Sequence, residues 1–589
     1  MYKAILSKLK KAQSNVTIGV NRYPFLATIL LLIFANLLML IVAACLAMSL
    51  DRESYTNFFF TLVQVAEWLV IPGAALIPKN LVIRALSVIV FMIGLVMFSG
   101  VIIAMTTTKV RSFMLTKAEA TGRLKLNYHY IILNYNDKVP ALLMDMMHND
   151  VDDTVLILSN KNKQFLDKII KHQTKQRIQR PTSKVNLIVR SGNPHSVAEL
   201  ADICLSQCKA VLIVHDQRDI EKDSVDLDVL QLLLTVSSQE MSKESHIVVE
   251  TQSFKMRQVM YDMQNAIPSL MCKKISSYSY DKLLGQFLAT SILRPNLTSV
   301  LYDLLSFVDF SIYDSDRAQP LEDYLVKFTD SVPIYSANGK TFAIAQSQKA
   351  LFSQRSNLLK IDRRLVPIAY ICNQEIVYYI LGDNNKYQFM MQSIKKTNPK
   401  AICRSYKYEE LNKFVKDLHE PKRRTAVVLS DMQSDDNVIL ALIELNKHFG
   451  LNPPFEIVAE IKDPNKQINI EQFNVNSVIV SNKVVSFYAL QNMVKKEASW
   501  FYETLLDHKN GEFNIWSEKA MYIFDFLESQ LIFDSYAEFI HAVFFGSQKR
   551  MMPIGISGQQ GNTFFCFGLD QKREFVLKPS DSLIYIHYS

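Results

Sequence analysis

Two runs dominate the hydrophobic pattern of the first hundred residues. Residues 24–50 carry no charged side chain, and residues 81–106 carry only Arg84, near the start of the run. At 1.5 Å per residue the first run spans roughly 40 Å as a helix, more than a bilayer core requires. A secretory signal would have an apolar stretch about half as long, ending at a small-residue cleavage site. Both runs are expected to be membrane spans, with Arg84 snorkelling to the interface. The segment between them is too apolar for a solvated loop. It predicts a short helix at 57–69, an irregular loop at 70–77 broken by Pro72-Gly73, and an exit at Pro78-Lys79. Irregular backbone at membrane depth is tolerated only where protein or a water-filled cavity surrounds it. Span, re-entrant half-helix, loop, span is the layout of a pore module. The alternatives are an interfacial helix between two anchors, or three full spans, the last disfavoured by Glu67, Pro72 and Gly73.

Flanking charge gives the orientation. Lys3, Lys8, Lys10, Lys11 and Arg22 precede the first span; Lys109, Arg111, Lys117, Arg123 and Lys125 follow the second. The intervening segment has only Arg52, Lys79 and Arg84. The excess of cations outside the pair of spans places both termini in the cytoplasm of a multi-pass cell-membrane protein. The expected division is a cytosolic N-terminus (1–23), a pore module (24–106) and a linker (107–127).

From residue 128 the pattern changes to short apolar runs alternating with amphipathic helices. Strands are expected at 129–136, 154–160, 184–192, 209–216 and 246–251. Helices are expected at 138–148, 162–172, 195–203, about 224–240 and 254–264. Continuously apolar strands alternating with helices indicate a buried parallel sheet. The series returns about 215–245 residues later, which marks a domain duplication rather than a solenoid. EIVYYILGDN (375–384) answers HYIILNYND, TAVVLSDMQSDDN (425–437) answers 210–223, and FEIVAEI (455–461) answers HIVVET, with Glu460 in the place of Glu250. NSVIVSNKVVSFYALQ (476–491) answers 273–286. Each copy ends in a β-rich stretch, with a hairpin turn expected at Asn338-Gly339. The fold class is thus an N-terminal two-span α module followed by two tandem α/β Rossmann-like domains, 128–365 and 366–589, each with a small β-rich C-terminal lobe.

The residues HYIILNYNDK (129–138), LIVRSGNPHSVAELADI (187–203), AVLIVHD with the acidic helix start (210–228) and HIVVET (246–251) carry a family resemblance. The chain resembles the CASTOR/POLLUX ion channels, which have RCK domains (regulators of K⁺ conductance). Arg190-Ser191-Gly192-Asn193-Pro194 is the most specific of these stretches. The resemblance implies a homotetramer whose eight RCK units form a cytosolic gating ring.

Composition adds exclusions. A formal charge of +8 over 589 residues gives no argument for nucleic acid. The seven Cys show no CxxC, so a disulfide framework is not expected; Cys204 and Cys208 are read as small apolar residues on a helix. No G-x-S-x-G, HExxH or Walker A segment appears, so an enzyme is not expected, and His215 is read as structural. The first strand–helix turn, Asn134 to Val139, has no glycine, and the second strand ends Ser159-Asn160 without a ribose-binding acid, so NAD is not expected. The acids Asp216, Asp219, Glu221, Asp223, Asp226 and Asp228 are the candidate site for a regulatory Ca²⁺, with Asp431, Asp435 and Asp436 repeating them in the second copy. Helix capping is the competing explanation. Glu67, Val70, Ile71, Pro72, Gly73 and Ala74 are the candidate pore and filter residues, and Gly94 and Gly100 the pore-lining hinge. Nothing here resembles a TVGYG filter, so permeant cations are expected to be weakly discriminated. The reading is a ligand-gated cation channel; a non-conducting, membrane-anchored sensor is the alternative.

Overall fold

The computed structural model describes residues 24–94 except 72, residue 107, and 123–588 apart from short stretches that include 149–152, 178–184, 217–221, 355–362, 369–374 and 566–573. The chain divides into two compact units, Met1–Ala120 and Thr121–Ser589.

In the first unit, helix α1 runs over Pro24–Leu50 with no acidic or basic residue in its sequence. Its side chains are described almost throughout from Phe34 onward. Among the described residues, no helix is long and apolar enough to cross a membrane. The short helix is displaced one residue from expectation: α2 covers Phe58–Val70, with Asn57 as N-cap accepting from the Phe59 amide. A single 3₁₀ turn, Ala74–Leu76, follows. Helix α3 occupies 81–94, and the rest of the second apolar run, including Gly100, lies outside the described residues. Ser87 on α3 donates to the carbonyl of Ala75, and Trp68 on α2 meets Tyr55 edge-on at 6.2 Å.

The second unit holds the duplication. The first copy is a six-stranded parallel sheet in the order β3-β2-β1-β4-β5-β6. Its strands are β1 (Tyr130–Leu133), β2 (Thr154–Ser159), β3 (Asn186–Ser191), β4 (Ala210–Ile213), β5 (His246–Thr251) and β6 (Lys274–Ser279). Helix α4 (Val139–His148) follows β1, α5 (Lys222–Ser237) follows β4, and α6 (Tyr280–Leu293) follows β6. A three-stranded antiparallel sheet, β7 (Ser311–Ser315), β8 (Ser331–Ala337) and β9 (Lys340–Ala345), completes the copy. Strands β8 and β9 pair down to Ala337 and Lys340, and Gly339 takes φ +80°; Asn338, the other residue of the expected hairpin turn, lies outside the described residues.

The second copy has five strands, β11-β10-β12-β13-β14: β10 (Ile376–Leu381), β11 (Ile402–Tyr406), β12 (Arg424–Leu429), β13 (Glu456–Ile461) and β14 (Ser477–Val480). It lacks one strand–helix unit between its first and fourth equivalent strands, which is why the repeat distance shortens along the chain. Helix α7 (Lys386–Thr397) follows β10, α8 (Asp435–Phe449) follows β12, and α9 (Ser481–Val494) follows β14. The terminal β-rich lobe contains β15 (Phe513–Lys519), β16 (Leu531–Phe533), α10 (Tyr536–Gly546), β17 (Met551–Gly558), β18 (Gly561–Phe564), β19 (Phe575–Leu577) and β20 (Ser582–Tyr588).

Alternation within the strands explains the layering. Tyr130 and Ile132 face one core and Ile131 and Leu133 another; Tyr378 and Ile380 face the first of these, while Tyr379 and Leu381 face a third. The two copies therefore share one central core, and each keeps an outer core of its own. Helix α6 packs on α7 and α9 on α4, a pseudo-twofold exchange between the copies.

One expectation on cysteines is corrected. Cys204 is not helical but sits at φ +57°, ahead of a 3₁₀ turn, and Cys208 caps that turn in extended conformation. The helix Val197–Asp202 ends before them, because Cys204 in the left-handed region cannot continue it.

Candidate functional site

The shared core contains two buried ion pairs related by the duplication. In the first copy, Lys138 at the start of α4 pairs with Glu250 on β5. In the second, Lys386 Nζ lies 2.5 Å from Glu460 Oε1 on β13. Lys386 is fully buried and Glu460 is 3% exposed. Both ammonium groups point at one ring, Tyr280 at the start of α6, with Nζ to ring-centroid distances of 4.4 Å for Lys138 and 5.5 Å for Lys386. Each glutamate has a second partner from an equivalent strand end. His215 Nδ1 lies 3.3 Å from Glu250 Oε1, and Ser430 Oγ donates to Glu460 Oε2 at 2.6 Å. Burial alone would raise the Glu250 carboxyl, but Lys138 and His215 outweigh it and hold it near about 2.

The helix crossings that bring these groups together depend on small residues at matched positions. A Cβ on Gly285 of α6 would come within 2.4 Å of the Lys386 carbonyl. Its counterpart on α9, Ser486, donates instead to the Lys138 carbonyl at 2.8 Å. Aromatic contacts and an ion pair extend the seam: Phe254 meets Phe389 at 5.5 Å and Tyr278 meets Tyr488 at 5.2 Å, and Arg257 forms a two-pronged bond with Glu503. Each pair lies within its own copy; the contacts that cross between copies, Lys386 to the Tyr280 ring, Ser486 to the Lys138 carbonyl and Arg257 to Glu503, can fix their relative placement.

The first strand–helix turns fit a dinucleotide poorly. Asn134 takes φ +73° in the first copy, and its side-chain amide donates to the Val214 carbonyl. Gly382 takes φ +124° in the second, where a Cβ would stand 1.9 Å from the Ser430 carbonyl oxygen. The lysine that follows each turn is committed to its glutamate. No glycine pair is left for the backbone to approach a diphosphate.

The acidic stretch divides into different roles. Asp226, 1% exposed, accepts from the amides of Gln252 and Ser253 at 2.7 and 3.1 Å and from the Ser253 hydroxyl at 2.9 Å. Asp435 does the same in the second copy, accepting from the amides of Lys462 and Asp463 at 3.0 and 2.9 Å. The repeated arrangement ties each helix start to the loop after the fifth equivalent strand. Asp216 is buried with Lys161 Nζ at 3.7 Å, and Asp228 pairs with His195 at 3.1 Å. Asp431 accepts from the Asn437 amide, and Asp436 pairs with Lys466 at 2.6 Å. Asp219 and Glu221 lie outside the described residues, as does the Asp223 side chain. Among the described residues no three His, Cys, Asp or Glu side chains cluster as metal ligands. Arg190, the centre of the Arg-Ser-Gly-X-Pro stretch, is buried and bridges Asp202 at 3.1 Å and Glu199 at 4.0 Å.

In the first unit, Glu67 is exposed, as are Ile71 and Gly73, and Ala74 is buried. Val70 closes α2, its side chain undescribed, and Pro72 lies outside the described residues. Gly94 packs against α2: a Cβ there would meet the Leu69 side chain at 2.4 Å.

Sequence reasoning paired Glu250 with Glu460 but missed the lysines. The signal was present: Lys138 and Lys386 each follow their copy's first strand by a few residues. It missed Tyr280 altogether, since one ring serves both copies and has no repeat counterpart; Ser481 stands in its place.

The second unit is a tandem of two Rossmann-like α/β domains, each with a β-rich lobe. Its likeness to the human SLO3 gating ring has a TM-score of 0.52 at 13% identity, covering 78% of this chain and 99% of that one. No family model matches the chain. Its sequence relatives are plant ion channels of the CASTOR/POLLUX group. The chain is 23% identical over 353 residues to the probable ion channel POLLUX of Arabidopsis thaliana, covering 56% of this chain and 39% of that protein. It is 23% identical over 263 residues to the ion channel DMI1 of Medicago truncatula, covering 42% of this chain and 27% of that one. Likeness to the ion channel CASTOR of Lotus japonicus is 21% over 214 residues, 35% of this chain and 23% of that one. The matched region spans well under half of each relative.

Proposed function

We propose that the chain is a homotetrameric, ligand-gated cation channel whose second unit supplies two RCK domains per subunit to an eight-membered cytosolic ring. The observation that carries this reading is the joint occurrence of two features. One is the tandem unit similar to ion channels. The other is an N-terminal unit in which a charge-free 27-residue helix, a short helix and a third helix follow one another. The proposed spans are 24–50 and 81–106, with α2 as pore helix and 70–77 as filter loop. Glu67 is the one carboxylate near that loop, and no TVGYG run backs it, so discrimination among cations is weak. A membrane-anchored sensor that passes no current is the second reading, favoured by the same uncharged loop.

A divalent cation such as Ca²⁺ is the proposed regulatory ligand, bound in the 216–228 segment. Asp216, just past the carboxyl end of β4, and Asp228 are the described acids it would draw on; Asp226 serves the fold. Binding would act through unequal affinity for two ring shapes. Particle symmetry of the purified chain in lipid nanodiscs tests the assembly: fourfold particles are expected, and monomers or dimers would refute it. Calorimetric titration of the whole chain with Ca²⁺ tests the ligand, and the absence of heat up to millimolar concentration would remove it.

A further inference from the structure

A cavity of about 990 Å³ lies between the second sheet and the terminal β lobe, away from both ion-pair centres. It opens at the starts of β10, β12 and β13, the opposite edge of the sheet from the one where α/β folds hold their ligands. Its size is at the upper end for small-molecule sites. Trp516 on β15 and Tyr585 on β20 form an aromatic floor. The Arg294 guanidinium, from the end of α6, lies 4.2 Å from the Trp516 ring centre and 3.8 Å from Glu518. Two further cations line the same space, Lys519 and Arg550. Among the described residues neither has a carboxylate partner. The Arg550 charge is felt inside: His587 is held below the ordinary imidazole value by burial and then by Arg550.

The cavity lip carries backbone strain. Gln548 and Lys549, in the turn from α10 to β17, both take the left-handed conformation, at φ +56° and +67°. Neither is glycine, and such strain clusters at ligand sites. The turn is also pinned from behind, since a Cβ on Gly546 would stand 2.0 Å from the Leu365 carbonyl oxygen. Glu456 and Glu518 are on the lining as well, placing two carboxylates among the cations, the second already beside Arg294.

We infer that this cavity is a binding site for a small planar heteroaromatic anion that also carries a ring amine. Trp516 takes the ring, Arg550 and Lys519 take the anionic group, and Glu456 suits the amine. The site is independent of the divalent-cation segment and does not rest on the channel reading.

The test is calorimetry on the full-length chain with adenosine 5′-monophosphate as probe, and with adenosine and inorganic phosphate as its separate halves. The nucleotide should bind saturably, and each half at least tenfold more weakly. Arg550→Gln, at an exposed side chain, should weaken the nucleotide about tenfold while leaving the melting temperature unchanged. Trp516→Phe should weaken the nucleotide and leave phosphate as it was. No heat with the nucleotide up to millimolar concentration would overturn the inference. Nucleotide binding unaffected by both substitutions would place the ligand elsewhere and overturn it too. Phosphate binding as tight as the nucleotide would reduce the site to an ion contact and refute the ring.

Discussion

Replacing Lys386 by Met leaves the Glu460 carboxylate buried with the Ser430 hydroxyl as its remaining bonded partner named above. Breaking one side of a buried pair costs about 3–5 kcal/mol, because the uncompensated charge cannot reach water. Replacing both partners, Lys386→Met with Glu460→Leu, removes the charge as well as its partner. Such swaps are often neutral or stabilising. The double variant should therefore recover most of the loss, a coupling of about 3 kcal/mol. The same experiment at the other pair gives an internal control. Lys138 is 10% exposed at its side chain, and Glu250 keeps His215 at 3.3 Å, so Lys138→Met should cost less than Lys386→Met. Urea denaturation of the purified chain in detergent, followed by circular dichroism, reads all four variants. A double variant as unstable as Lys386→Met alone would refute the charge argument and point to lost packing. A harmless Lys386→Met would refute the pairing itself.

Three further outcomes are expected. Gly285→Val should destabilise by about 1–3 kcal/mol through the clash with the Lys386 carbonyl, measured as a lowered denaturation midpoint, whereas Gly339→Ala, with open space around it, should show only the strain of its left-handed backbone. The depressed Glu250 carboxyl contributes stability that is present above its unfolded value near 4.5 and lost as pH falls from there toward about 2; Glu250→Gln should flatten the pH dependence of melting in that window. Asp226→Ala and Asp435→Ala should each cost about 1–3 kcal/mol by orphaning two buried amides, and they should do so equally with and without Ca²⁺.

Local pattern carried the positions of the first five strands of the first copy, and strand 246–251 matches β5 residue for residue, since continuous burial of a parallel strand leaves an unbroken apolar run. The repeat was legible for the same reason, down to Glu250 and Glu460. The deleted strand–helix unit was not, because a missing element leaves no residues to read; only the shrinking repeat distance hinted at it. The roles of Asp226 and Asp435 were ambiguous, since a cap, a loop tie and a metal ligand all use an acid near a helix start. The ion-pair centre and the cavity were hidden because each is assembled from residues hundreds of positions apart. Arg294, Trp516 and Arg550 share no periodicity that would place them together.

We propose that the N-terminal unit conducts cations under control of the tandem unit. Planar-bilayer recording of the purified full-length chain tests it most directly, in symmetric and bi-ionic potassium and sodium solutions with and without Ca²⁺. Single-channel cation currents with little preference for potassium over sodium, and an open probability that changes with Ca²⁺, are expected. Strong potassium selectivity would contradict the reading of the 70–77 loop, and the absence of current under every condition would contradict the channel itself.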